Sequence, residues 1–363
     1  MALDDLRTAL TEVDDKLLEL IARRQELVEQ ISATKLAAGT PTRDYQREKE
    51  VLSNAARKAR ALGLPAGVAE DILKLLIETS LTRQEKARVA AEGAGTGKRA
   101  LVIGGAGKMG GWFAEFLDSQ GFEVTLADPR AGDEPPFPAV EDWQQGSLDE
   151  DIIIVAAPLG ITAEILSQLS QRKPRGLIID VGSLKSPLRN ALLDLVSAGC
   201  RVASIHPMFG PDTHLLSDRH IIFVDLGQPQ ALAEAQNLFA STMAEQFVMK
   251  LEEHDRLIAY VLGLSHALNI AFFTALADSG ELVPRLANMS STTFDAQLEV
   301  AGLVARDNPH LYFEIQTLNH YGTEALDALV AASETIRTLV REGDEAGFVG
   351  LMRAGREYLA RRT

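Results

Sequence analysis

The chain is short of cysteine: Cys200 is its single one in 363 residues, so no internal disulfide can form and a cysteine-based metal site is excluded. It is short of positive charge as well. With 36 Lys and Arg against 51 Asp and Glu, the formal net charge is −15, which argues against nucleic acid and anionic membranes, both of which ask for clustered cations. The opening stretch MALDDLRTALTEVDD lacks the apolar core of a signal peptide. No run is expected to reach the roughly 18 apolar residues of a membrane span. These absences lead us to expect a cytoplasmic protein without a membrane, nucleic-acid or metal partner. An acidic chain that binds acidic molecules must place its cations locally, so each well-placed Arg or Lys carries information.

What is present falls into segments. Residues 3–38 space apolar side chains by threes and fours, from Leu3, Leu6 and Leu10 to Val28 and Ile31, and nothing breaks the pattern before Gly39. That predicts one amphipathic helix roughly 54 Å long at 1.5 Å per residue. Further helices are expected over about 44–62 and 67–89, after Pro41 and after Gly63 and Pro65. A domain of about 90 residues is roughly half as wide as the first helix is long. The helix therefore needs a packing partner from a second copy, and an intertwined homodimer is the simple solution. The Gly-rich stretch 91–98 reads as a linker. From 99 to 250, short β-branched runs alternate with helical stretches: 100–105, 123–128, 151–158, 176–183, 201–207 and 220–226. Such runs predict a parallel sheet covered on both faces, an α/β Rossmann domain. From 251 to 363 the pattern is helical, with breaks at Pro284 and Pro309, and an all-α dimerisation domain is expected.

The first strand of the second segment runs into Gly105-Ala106-Gly107-Lys108-Met109-Gly110, and a helix pattern follows at once. Alone, GxGxxG is a weak signal. Between a strand and a helix it gives a tight turn whose backbone can approach a pyrophosphate at a helix N-terminus. Asp128 ends the next strand, 21 residues after Gly107, where a carboxylate accepts from a ribose 2′-hydroxyl and repels a 2′-phosphate. Arg130 weakens that preference slightly. We read the cofactor as NAD, with Ala157 and Pro158 at the end of the 151–158 strand also on the cofactor side.

On the first helix, Arg24 and Lys35 lie eleven residues apart and share a face. Arg7 precedes Arg24 by seventeen residues and points roughly 100° away, so a partner helix is the simple way to bring it to the same site. Asp44, Arg47 and Glu48 form an i, i+3, i+4 cluster, and Ser80 and Gln84 lie one turn apart. Taken singly, these are ordinary solvated helix faces. As a set they resemble the all-helical chorismate mutases, and the resemblance covers about residues 1–90. It implies an intertwined helical dimer in which Arg7 comes from the partner chain and joins Arg24, Lys35, Asp44, Arg47, Glu48, Ser80 and Gln84 around the substrate. Chorismate rearranges without nucleophile or proton transfer, so the protein has only to fold a flexible dianion and stabilise charge on the breaking ether oxygen. Arginines would fork onto the carboxylates, Lys35 and Gln84 would donate to the ether oxygen, and Glu48 would take a ring hydroxyl.

Beyond residue 98 the motifs GGAGKMG, DVGSLKS (180–186), HPMFGP (206–211), EEHD (252–255) and NPHLYFEI (308–315) extend the resemblance to the whole chain. The family is the bifunctional chorismate mutase/prephenate dehydrogenases of tyrosine biosynthesis. It implies that His206 accepts the proton of the substrate C4 hydroxyl, while hydride leaves for the nicotinamide and CO₂ departs. Ser183 would orient this histidine. The residues agree with that role: His206 lies at the carboxyl end of a predicted strand, where open α/β sheets bind ligands, and imidazole has an ordinary pKa of about 6.5. His266 is a second substrate-side candidate, whereas His254 and His214 read as structural or surface residues. One position departs from the family. Where an arginine is expected to hold a carboxylate, the ungapped alignment places Asp295. Lys185 then becomes the candidate clamp, with Arg189 and Arg285 behind it.

Alternatives stay open at this point. An acid at 295 suits the ammonium of arogenate, so an arogenate-preferring or dual-specificity dehydrogenase is a rival. Another is a dehydrogenase whose first 90 residues are only a dimerisation or effector module. A β-hydroxyacid dehydrogenase leaves HPMFGP unexplained. The C-terminal helices are expected to form the dehydrogenase dimer and close the substrate cleft, and a tyrosine inhibitor is expected at or beside that site.

Overall fold

The computed structural model describes residues 2–132 and 134–362. The chain divides into two compact units. The first takes Met1–Ala157, Gln168–Val181 and Leu195–Val248, and the second takes Pro158–Ser167, Gly182–Asp194 and Met249–Thr363.

The first unit opens with three helices, α1 (Leu3–Ala37), α2 (Tyr45–Ala61) and α3 (Ala66–Glu92). Their bounds follow the expected ones within a few residues. Asp44 starts α2 by accepting the Arg47 N–H at 2.9 Å, satisfying an amide that the helix itself leaves unpaired. On α1, Leu3, Leu6, Leu10, Val13, Leu17 and Leu20 are all exposed, and Gln25 is its single buried residue. The predicted apolar stripe is present, and it is uncovered within the chain.

Strands β1 (Arg99–Ile103), β2 (Glu123–Ala127), β3 (Ala139–Val140), β4 (Ile152–Val155), β5 (Leu177–Asp180), β6 (Arg201–Pro207), β7 (His220–Asp225) and β8 (Glu245–Lys250) form one sheet. Its order is β3-β2-β1-β4-β5-β6-β7-β8. Pairing is parallel from β3 through β6, and β7 runs antiparallel to β6 with His206 opposite Ile222. The expected parallel sheet therefore carries an antiparallel edge and two additional strands. The intervening helices are α4 (Lys108–Ser119), α5 (Leu159–Arg172), α6 (Arg189–Ser197) and α7 (Pro229–Asn237). One core forms where Phe113, Phe116 and Leu117 of α4 meet Val102, Ile154, Ile179 and Phe223 of the sheet, and Phe116 stacks on Phe239 at 4.9 Å. Burying each such side chain is worth about 1.5–3 kcal/mol. Chain order reverses between β1 and β4, and this switch point is where an open α/β sheet leaves a crevice at its carboxyl edge.

The helices of the second unit are α8 (Leu251–Ile258), α9 (Ser265–Asp278), α10 (Val283–Asn288), α11 (Thr292–Arg306), α12 (Pro309–Leu318), α13 (Gly322–Glu342) and α14 (Glu345–Leu359). A wider π-helical stretch, Ala259–Leu264, joins α8 to α9. This corrects one expectation. Leu251–Asp278 forms a single helix of 28 residues, long and apolar enough by length and composition to cross a membrane. Its polar residues are too dispersed to interrupt the apolar window. Within the chain, 22% of that window is buried.

Candidate active sites

A cavity of about 320 Å³ opens among the first three helices. Its wall includes seven of the eight expected residues: Arg24, Lys35, Asp44, Arg47, Glu48, Ser80 and Gln84. Leu27, Val28, Ile31, Val51, Ile77 and Leu81 supply apolar wall for a carbocycle. Arg24 donates to Ser80 Oγ at 2.7 Å and to the Leu76 carbonyl at 3.0 Å, which fixes its guanidinium, and burial lowers its pKa. Lys35 Nζ donates to the Thr42 carbonyl at 2.8 Å. The Gln84 Oε1 atom is buried and has no hydrogen-bond partner among the described residues. Asp44 also serves as the α2 cap, so its carboxylate is shared between helix and cavity.

Arg7 is the exception. It stands on the exposed half of α1 and pairs with Asp4 at 3.3 Å, roughly 26 Å along the helix from Arg24. The sequence reading missed Arg43. Its Nε and Nη2 reach the Glu48 carboxylate at 3.0 and 3.1 Å. A cation immediately before the α2 cap and five residues from Glu48 was the available signal.

The glycine turn follows β1 as expected, but its strained residue is Gly104, one position ahead of the motif. Gly104 has φ +86°, and a Cβ there would sit 2.6 Å from the Ala156 carbonyl oxygen. A Cβ on Gly110 would lie 2.2 Å from the Gly104 carbonyl oxygen. The turn is therefore drawn tightly against the end of β4, beside Ala157. Gly107 caps α4, with Lys108, Met109 and Gly110 in its first turn. Asp128, at the end of β2, is nearly buried and accepts the Ala106 N–H at 3.2 Å and the Arg130 N–H at 2.9 Å. Burial pushes its pKa up, but hydrogen bonds from Arg130 and Ala106 outweigh this and leave it lowered. The donor set fits a dinucleotide: glycine backbone at a helix N-terminus and a carboxylate beside it.

His206 lies within β6 and is 4% exposed. Next to it, Ser204 Oγ donates to the fully buried Asp180 at 2.6 Å.

In the second unit, Ser183 is partly buried and Lys185 wholly so. The Lys185 and Ser186 amides donate to Asp255 at 2.8 and 2.5 Å. His254, fully buried, meets the same carboxylate through Nδ1 at 2.6 Å. This arrangement ties two of the sequence motifs, DVGSLKS and EEHD, together. His266 packs 4.1 Å from the Tyr312 ring, its Nδ1 is buried without a hydrogen-bond partner, and burial lowers its pKa. Tyr312 donates to Asp307 at 3.3 Å, and burial followed by that carboxylate pushes its phenol up to about 12. Arg189 and Arg285 are already paired, with Glu252 at 2.6 Å and Glu281 at 3.2 Å. Asp295 sits in the first turn of α11, hydrogen-bonded to Ser290 Oγ. Pro158 accepts from Thr162 at the start of α5.

Three family models match the chain: chorismate mutase type II over residues 6–85, the prephenate dehydrogenase nucleotide-binding domain over 131–248, and the prephenate dehydrogenase dimerization domain over 250–354. The T-protein of Enterobacter agglomerans is 26% identical over 347 residues, spanning 95% of this chain and 89% of that protein. The T-protein of Haemophilus influenzae is 24% identical over 361 residues, spanning 98% and 92%. Among solved structures, prephenate dehydrogenase from Aquifex aeolicus, in complex with hydroxyphenyl propionate and NAD+, is similar with a TM-score of 0.56 at 20% identity. That match covers 74% of this chain and 99% of the other, and it is a likeness of fold. With a mutase domain ahead of both dehydrogenase domains on one chain, this protein belongs to the bifunctional chorismate mutase/prephenate dehydrogenase family of tyrosine biosynthesis.

Proposed function

We propose that the helical cavity is the chorismate mutase site and that His206 is the base of the prephenate dehydrogenase. The observation that carries the first half is the convergence of seven expected side chains, from three helices, on one cavity. Arg24 and Arg47 take the two carboxylates of chorismate, Glu48 takes its ring hydroxyl, and Lys35 with Gln84 donates to the ether oxygen as charge builds there. Arg7 is supplied by a second copy, in a cytoplasmic homodimer that covers the α1 stripe. Exposed Val330, Ile336, Val340, Met352 and Leu359 on α13 and α14 offer a second surface for the same partner. The domain boundaries we assign are 1–90, 91–98, 99–250 and 251–363.

For the dehydrogenase, the glycine turn and Asp128 hold NAD, which supplies the hydride acceptor. His206 accepts the C4 hydroxyl proton of prephenate, giving 4-hydroxyphenylpyruvate and CO₂. Ser183, Lys185 and His266 keep the substrate-side roles that the family resemblance implies. Lys185, in the motif DVGSLKS, is the proposed clamp for the carboxylate. Prephenate is the preferred substrate because Asp295 is engaged at its own helix start, where a carboxylate also meets the positive end of the helix. Arogenate is the second reading, favoured only by the charge of that residue.

Lys35→Ala tests the mutase assignment. Removing one donor to a developing oxyanion should lower mutase kcat about 100-fold or more, while oxidation of added prephenate continues at the wild-type rate. Unchanged mutase turnover in this variant would refute the site. Running the same preparation with prephenate and arogenate decides the substrate: higher kcat/KM for arogenate would overturn the reading of Asp295.

A further inference from the structure

The loop 208–219 leaves β6 two residues after His206 and returns as β7. Its nearer half rests on the nucleotide-binding side, where Trp112 Nε1 donates to the Thr213 carbonyl at 2.9 Å and the Trp112 and Phe209 rings lie 5.0 Å apart. Its far end reaches Arg43, whose partner Glu48 lines the helical cavity. Arg43 Nη1 donates to Ser217 Oγ and to the Asp218 carboxylate, both at 2.5 Å. The other nitrogens of the same guanidinium grip Glu48. The Arg43 guanidinium lies over the Tyr45 ring at 4.3 Å, and Tyr45 Oη is 3.5 Å from Asp218.

A second contact runs alongside. Glu85, directly after Gln84 and 4% exposed, accepts the Leu216 N–H at 2.7 Å and the Met243 N–H at 2.5 Å. Asp218 itself has φ +60°, in the left-handed region that costs most side chains energy and is tolerated best by Asn and Asp. A strained residue persists where its surroundings hold it, and here those surroundings include Arg43.

From this geometry we propose that Asp218, with Ser217, is a positioning residue of the mutase: a loop belonging to the dehydrogenase sets the Arg43 guanidinium and, through it, the carboxylate of Glu48. The proposal rests on Glu48 facing chorismate, as argued above. A planar fork can hold two partners in fixed directions, which an ammonium cannot. The mutase pocket is thus incomplete without a segment more than a hundred residues beyond its last helix.

Asp218→Asn removes the charge and keeps a side chain that tolerates the left-handed backbone. In the full chain it should lower mutase kcat/KM about tenfold, a coupling within the usual range for residues in one network. Prephenate oxidation should stay within about twofold of wild type, although the loop leads directly to His206. Arg43→Ala and Arg43→Lys should each lower mutase by at least as much, and adding Asp218→Asn to Arg43→Ala should cost nothing more. The proposal is overturned if Asp218→Asn leaves the mutase untouched, lowers both activities equally, or lowers the mutase as much in the Arg43→Ala background as in wild type. Glu48→Gln measured beside them separates the two levels of argument. Wild-type mutase activity in that variant would remove the reading of the pocket, whereas a large loss there with a silent Asp218→Asn would remove the positioning role alone.

Discussion

Asp255 gathers four donors onto one carboxylate: the backbone amides of Lys185 and Ser186, the Ser186 hydroxyl and the ring of His254. Burial alone would raise its pKa, but these hydrogen bonds outweigh burial and bring it from 3.8 to about 2. Because the folded value lies below the unfolded one, the stabilisation is fully present above pH 3.8 and fades as pH falls toward 2. A gap of this size corresponds to about 2 kcal/mol. Asp255→Asn should therefore lower stability at neutral pH by about that amount and flatten the loss of stability between pH 5 and pH 2. Thermal unfolding of both proteins across that interval checks it; equal slopes would contradict the assignment. At this scale EEHD was visible in the sequence as a motif, but its task was not. Nothing in the spacing shows that an acid at 255 receives amides from 185 and 186, because that pairing is made only by folding.

Helix α1 carries Arg7 near one end and Lys35 near the other, roughly 42 Å apart at 1.5 Å per residue. One such helix cannot bring both ends to one cavity, so in the proposed dimer each end would serve a different copy of the site. Mixing inactive Arg7→Ala and Lys35→Ala chains, then letting subunits exchange, should restore mutase activity. The heterodimer pairs the intact Lys35 of one chain with the intact Arg7 of the other at one of its two sites, and a recovery approaching a quarter of wild type is expected from random pairing. No recovery after verified exchange would place Arg7 in its own chain's site or outside any site. The helices and six principal strands were legible because long periodic or β-branched runs declare themselves. Strands β3 and β8 were not. The first is two residues long, and the second is a largely exposed edge that passes directly into α8. Gly104 escaped notice because two glycines adjoin, and only the backbone reveals which one takes the left-handed conformation.

In the whole molecule, two chemistries share one chain with different demands. The mutase needs charge placed around a flexible dianion, and an acidic protein meets this by concentrating Arg24, Lys35 and Arg47 on one cavity. The dehydrogenase needs a base at a strand end and a dinucleotide turn at the switch point of a sheet. The first compact unit contains both the mutase cavity and His206, joined through Arg43 and Glu85, so proximity of the two sites does not by itself make them one site. The central claim is that they are separate reaction centres on a single chain. His206→Asn in the full-length protein, assayed for both reactions, tests it most directly. The account predicts loss of NAD reduction with prephenate by about 100-fold or more and an unchanged rate of chorismate rearrangement. Undiminished NAD reduction, or an equal loss of both activities in a folded variant, would contradict it.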